Sequence, residues 1–163
     1  MKTLLVYYSN QESVRSLCED SAREGEVDVL ELRERYDRGA FSAATAGAYL
    51  AARGLGSRID PFVIDLDAYD TIILATPVWS GCPAPAVNAF LHRANLRGRE
   101  VSGLLLYEGR RAAKAMETLR ERVRLAGGRC RDVVCVSTKE LREKNCDVFS
   151  FAKTNTRLAP VLS

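Results

Sequence analysis

A chain of 163 residues, 47% hydrophobic and 28% charged, has the length and composition of one globular domain with a core of its own. Its formal net charge is only +3 and its acids and bases alternate, which excludes the clustered basic face that nucleic acid requires; no apolar run approaches the ~20 residues of a membrane span. The five cysteines lack a CxxC pair and read as free thiols, and nothing around His92, the single histidine, supports a zinc site or a Ser-His-Asp triad.

In chain order, "TLLVYYS" is apolar and rich in strand formers, a first buried strand rather than part of a signal peptide, so a cytoplasmic protein is expected. "SVRSLCEDSARE" places Val14, Leu17, Cys18 and Ala22 at helical spacing, and Gly25 closes it. "VDVLEL" alternates apolar and acidic residues, as an edge strand does, and the alanine-rich "FSAATAGAYLAARG" reads as a second helix ending at Gly54. In "YDTIILATPVW" the unbroken run from Thr71 to Ala75 suits a strand buried on both faces, with Pro77 expected to end its ladder. "PAPAVNAFLHRANL" carries proline at a first helical turn and a stripe of Ala86, Val87, Phe90 and Leu91. "EVSGLLLYE" is a further apolar strand, "RRAAKAMETLRERVRLAGG" the clearest helix and "RDVVCVS" a fifth strand. The tail from Leu141 to Leu158 is weakly patterned, with room for a last helix.

Five strands separated by helices imply parallel strands, right-handed crossovers and helices on both faces, an α/β doubly wound fold. Ligands of such sheets bind beyond the carboxyl ends of the strands. That rule selects three turns: Ser9 to Ser13, Thr76 to Pro85, and Tyr107 to Arg111.

In the second turn Trp79, the only tryptophan, stands between proline, serine and glycine, a setting for a partly exposed ring that can stack on a flat ligand or cover the next helix. The stretch "YDTIILATPVWSGCPAPAVNAFL" resembles the middle of the flavodoxin family, where a small-Pro-x-Trp/Tyr turn grips the flavin of FMN. The resemblance covers most of the chain and implies a five-stranded parallel sheet in the order 2-1-3-4-5 and an FMN-dependent redox role, with Trp79 beside the isoalloxazine. It also implies contacts to the ring from Thr76, Pro77, Val78, Ser80, Gly81 and Cys82. A redox partner protein or a small-molecule electron acceptor would follow, with the chain a monomer or homodimer that uses neither nucleic acid nor membrane. No side chain is required as general acid or base for electron transfer alone.

Flavodoxins carry a pattern like S-x-T-G-N-T in the first turn, with hydroxyls and backbone N–H groups around the FMN phosphate. Here Ser9-Asn10-Gln11-Glu12-Ser13, followed by Val14, stands in that place, one residue shorter and without glycine. A Glu12 carboxylate ~5 Å from a phosphate charge, at an effective dielectric of ~20, would be repelled by roughly 3 kcal/mol. Arg15, Arg110 and Arg111 are candidates to offset it. Ser9-x-x-Glu12 fits a capping box equally well, and then the helix satisfies its own N-terminal donors. In the third turn Tyr107, Glu108 and Gly109 offer an aromatic edge and a tight bend, or simply a helix start. Cys82 reads as a redox thiol or as a small residue of a turn. The rival to a flavoprotein is a fold of the same kind that has lost FMN and serves as a binding or regulatory module.

Overall fold

The computed structural model describes residues 2–25, 27–35, 43–107 and 112–143. Its strands are β1 (Thr3–Tyr7), β2 (Asp28–Glu31), β3 (Thr71–Trp79), β4 (Cys82–Pro83), β5 (Glu100–Tyr107) and β6 (Arg129–Ser137). Its α-helices are α1 (Glu12–Glu24), α2 (Ala48–Ala52), α3 (Pro85–Arg93), α4 (Ala112–Leu125) and α5 (Thr138–Glu143). The long strands are parallel and ordered β2-β1-β3-β5-β6. This is the 2-1-3-4-5 order that the resemblance implies, with the count moved on by the inserted β4.

Strand parity divides the core into two layers. Leu4 and Val6 of β1 face one side, where Ile72, Leu74, Val101 and Leu105 meet α3 and α4 through Val87, Phe90, Ala115 and Leu119. Leu5 and Tyr7 face the other, where Ile73, Ala75, Leu104 and Leu106 meet α1 through Val14, Cys18 and Ala22. The apolar run of β3 is continuous because both of its faces are covered, and Ile72 to Thr76 are all buried. β2, at the edge, has Asp28 and Val29 exposed.

Three features depart from the expected elements. β3 does not end at Ala75 but runs through Pro77 to Trp79. The Ala75 carbonyl accepts the Tyr8 N–H at 3.0 Å, toward β1. Pro77, two residues on, turns the same way, where β1 has already ended, so its missing N–H removes no ladder bond. Second, Val78 and Trp79 pair antiparallel with Pro83 and Cys82, a two-residue hairpin turning on Ser80 (φ 51°) and Gly81 (φ 74°). Positive φ at both central residues is the signature of a type I′ turn, whose twist matches the strands it joins. Third, the alanine-rich helix is divided into a π-helical turn, Ala43–Gly47, and the short α2. Arg122 of α4 ties this segment down, its guanidinium donating to the Asn88 Oδ1 of α3 at 2.6 Å and to the Ala51 carbonyl of α2 at 3.1 Å.

Gly103, in the middle of β5, leaves no room for a side chain between the strand and α4. A Cβ there would stand 2.5 Å from Leu119 Cδ2 and 3.2 Å from Val133 Cγ1. Gly103→Ala is expected to destabilise the fold by about 1–3 kcal/mol through overpacking. A urea midpoint lowered at unchanged slope checks it; an unmoved midpoint would show that α4 can yield.

Candidate functional site

The carboxyl ends of β1, β3 and β5 lie side by side, because Tyr7 pairs with Ala75 and Pro77 with Leu106. The turns that follow them therefore share one pole of the sheet. Tyr8 and Trp79 join the first two directly: their ring centroids are 5.8 Å apart and the planes stand at 82°, edge to face.

In the first turn, Ser9 is buried and folds on its own backbone. Its Oγ accepts the Gln11 N–H at 3.0 Å and donates to the Gln11 carbonyl at 2.9 Å. This fixes Gln11, in extended conformation, as the N-cap of α1, with no side-chain cap. The Gln11 carbonyl then takes the N–H groups of Val14 and Arg15, both at 3.1 Å. The Ser9–Glu12 capping box is absent. Ser9 lies two residues before the N-cap and Glu12 opens the helix, so the serine spends its hydroxyl on Gln11. Among the described residues, the N–H groups of Glu12 and Ser13 have no protein acceptor. They stand at the positive end of a 13-residue helix. Asn10 and Ser13 are exposed beside them, while the side chain of Val14 is in the core.

Glu12 turns outward. Its side chain is 75% exposed and meets Arg15 Nη1 at 2.6 Å. Arg15 Nε meets Glu31 Oε1 at 2.5 Å, and the other oxygen of Glu31 holds Arg33, also at 2.5 Å. Two carboxylates and two guanidiniums thus close on one another along the ends of α1 and β2. The Glu31 bond in particular raises the affinity of Arg15 for its proton. Among the described residues, an anion at this turn would be met by backbone dipoles and the Ser13 hydroxyl, not by an unshared cation.

In the second turn, Thr76 is fully buried, and its Oγ1 accepts the Ala84 N–H at 3.1 Å and donates to the Pro77 carbonyl at 3.1 Å. Its hydroxyl thereby fastens the return of the hairpin to the strand. Pro77, Val78 and Trp79 are half-buried, Ser80 is exposed and Gly81 is buried. Cys82 is not on a free turn: it lies in β4, 2% exposed, beside Arg122. Burial pushes the Cys18 thiol up to about 12 and Cys135 up to about 11, so neither offers a thiolate near neutrality.

At the third turn, Tyr107 ends β5, half-buried and paired with Ser137. Glu108 and Gly109, like Arg110 and Arg111, lie outside the described residues. His92 is exposed near the end of α3, and the described residues contain no cluster of metal-ligating side chains.

Sequence reasoning passed over Tyr8, whose ring sits against Trp79 and whose hydroxyl donates to Glu34 Oε2 at 2.9 Å. Parity would have found it. In "VYY" the second tyrosine must face the side opposite Tyr7, at the rim where Trp79 emerges. The Ser80-Gly81 pair between two strand-like dipeptides was likewise a hairpin signal.

The pole thus combines a helix N-terminus with open donors, an aromatic pair and a rigid hairpin, on a sheet whose order is 2-1-3-4-5 when the long strands alone are counted. No family model and no curated protein matches the chain. Solved structures do. The chain is similar to a flavoprotein from Lactobacillus acidophilus NCFM, solved in complex with FMN, at 23% identity over 88% of this chain and 97% of that one, with a TM-score of 0.71. It is similar to flavodoxin 2 from Bacillus cereus at 20% identity over 95% and 99% of the two chains, TM-score 0.54. General stress protein 14 from Treponema denticola, also solved with FMN, aligns at 14% identity over 94% and 99%, TM-score 0.52. The chain has a flavodoxin-like fold. Among the described residues no helix is long and apolar enough to cross a membrane.

Proposed function

We propose that the protein binds one FMN non-covalently at this pole and acts in electron transfer or as a small flavin-dependent oxidoreductase. The observation that carries the reading is the coincidence, on adjacent strand ends, of the uncapped N-terminus of α1 and the Tyr8–Trp79 pair. The N-terminus suits a phosphate and the pair a flat aromatic ring, and the FMN complexes among the similar structures support the same cofactor.

The residues present fit the group. The N–H groups of Glu12 and Ser13, the Ser13 hydroxyl and Asn10 would hold the phosphate, on a backbone that Ser9 and Gln11 keep in shape. Trp79 would flank the ring, with Pro77, Val78, Ser80 and Gly81 supplying the rigid edge and Tyr107 the neighbouring wall. Cys82 and Thr76 would act from beneath, by anchoring the hairpin. Bound FMN supplies the redox chemistry; the chain's part is to hold it, exclude water from one side of the ring and set its surroundings. Electrons would pass to a redox partner protein or a small-molecule acceptor.

Two comparisons test the phosphate half of the site. FMN is expected to bind at least about 10-fold more tightly than riboflavin, since charge-assisted bonds to the phosphate are worth about 1.5–3 kcal/mol. Equal dissociation constants would mean that the first turn takes no part. Glu12→Gln is expected to change FMN affinity less than about threefold, because the carboxylate is exposed and neutralised by Arg15. A gain of two orders of magnitude would instead place Glu12 against the phosphate.

A further inference from the structure

We propose that Arg15 is a positioning residue that latches Glu12 outward and so keeps the helix N-terminus open to the anionic end of a ligand; this rests on the phosphate site proposed above. The starting point is a competition within the chain. An uncapped helix N-terminus attracts any carboxylate within reach, and Glu12 is the first residue of α1. Released, its side chain can fold back over the N–H groups of Glu12 and Ser13, which have no other acceptor among the described residues. The carboxylate would then stand where a phosphate must.

The latch that prevents this is anchored on the far side. Arg15 follows Glu12 by three residues, so both project from one face of α1. An exposed pair of that kind is weak by itself. Arg15, however, is also fixed by Glu31, whose side chain is only 11% exposed and which Arg33 holds in turn. With Nε on Glu31, the guanidinium presents Nη1 to Glu12 in a set direction, 2.6 Å away. A lysine has one ammonium and no such fork, so it cannot hold both carboxylates in this geometry. The arrangement accounts for how a turn can carry a glutamate where a negative ligand would sit and still leave its donors free.

The test is a set of affinities for FMN and riboflavin, measured on the full chain. Arg15→Gln is expected to weaken FMN at least about 10-fold and to leave riboflavin unchanged, because only the phosphate competes with the freed carboxylate. Arg15→Gln with Glu12→Gln is expected to return FMN to within about threefold of the unaltered protein. Arg15→Gln with Asp20→Asn restores the same net charge on α1 from a remote position and is expected not to rescue. An Arg15→Gln protein with unaltered FMN affinity, a double variant that stays weak, or equal rescue by Asp20→Asn would each overturn the latch.

A second readout needs no flavin. In flavin-free protein the Ser13 amide proton is expected to move downfield on Arg15→Gln, as the freed carboxylate accepts it, and to return on Arg15→Gln with Glu12→Gln. A Ser13 amide that does not move on Arg15→Gln, or that stays moved in the double variant, overturns the latch. An unaltered protein that binds neither flavin overturns the phosphate site instead, while the amide shift still decides the latch.

Discussion

Trp79→Ala is expected to weaken FMN binding by about 5- to 150-fold. Stacking of a flat heteroaromatic ring on an aromatic side chain is worth about 1–3 kcal/mol by alanine substitution. The geometry favours the full value. Trp79 ends β3 in a hairpin held by the Thr76–Ala84 bond, and its edge-to-face contact with Tyr8 limits its rotation. A ring so constrained gives up little freedom when it meets a ligand. Trp79→Phe keeps an apolar face and is expected to fall between the two. Fluorescence titration of FMN checks the series, with the melting temperature of each flavin-free variant separating lost packing from lost binding. An alanine variant that binds FMN like the unaltered protein would show that the ring does not touch the cofactor.

The largest effect on stability is expected at Phe90. Its side chain is fully buried, at the centre of the larger core layer, and packs on Phe62 with ring centroids 5.2 Å apart. Phe90→Ala removes the ring and leaves a cavity that α3 cannot collapse to fill, since Ala86, Val87 and Leu91 beside it are already packed. A loss of about 3–5 kcal/mol follows, against the 5–15 kcal/mol of a typical domain. Denaturant unfolding measures it directly. A loss below about 1 kcal/mol would mean that Phe62 swings in to occupy the space, which the tilted packing of the two rings does not favour.

The parallel layout was legible from the alternation of strands and helices, and the strands that read as unbroken, Thr71 to Ala75 and Leu104 to Leu106, are covered on both faces; the order of the strands followed only from the resemblance to flavodoxins. That the turns after β1, β3 and β5 share one pole was legible from topology, since parallel strands must all end on one edge. What the sequence did not disclose lies at the junctions, where short-range bonds choose between patterns that look alike. Ser9-x-x-Glu12 spells a capping box, but the serine stands two residues before the N-cap and its hydroxyl closes on Gln11 instead. Pro77 spells a strand end, yet it faces a side that β1 has vacated. Cys82 spells a loop thiol, but a two-residue turn at Ser80 and Gly81 folds it into β4. The charge on Glu12 reads as an obstacle to a phosphate until Arg15 and Glu31, 16 residues apart in sequence, are seen to meet.

The central claim is that this pole holds FMN, and the most direct measurement is the visible absorption spectrum of the purified protein together with a titration of the flavin-free chain with FMN. A flavin spectrum, or saturable uptake of one FMN per chain that Trp79→Ala weakens, is the predicted result. Colourless protein that takes up no added FMN would contradict it, and would leave a flavodoxin-like fold serving as a binding module without its cofactor.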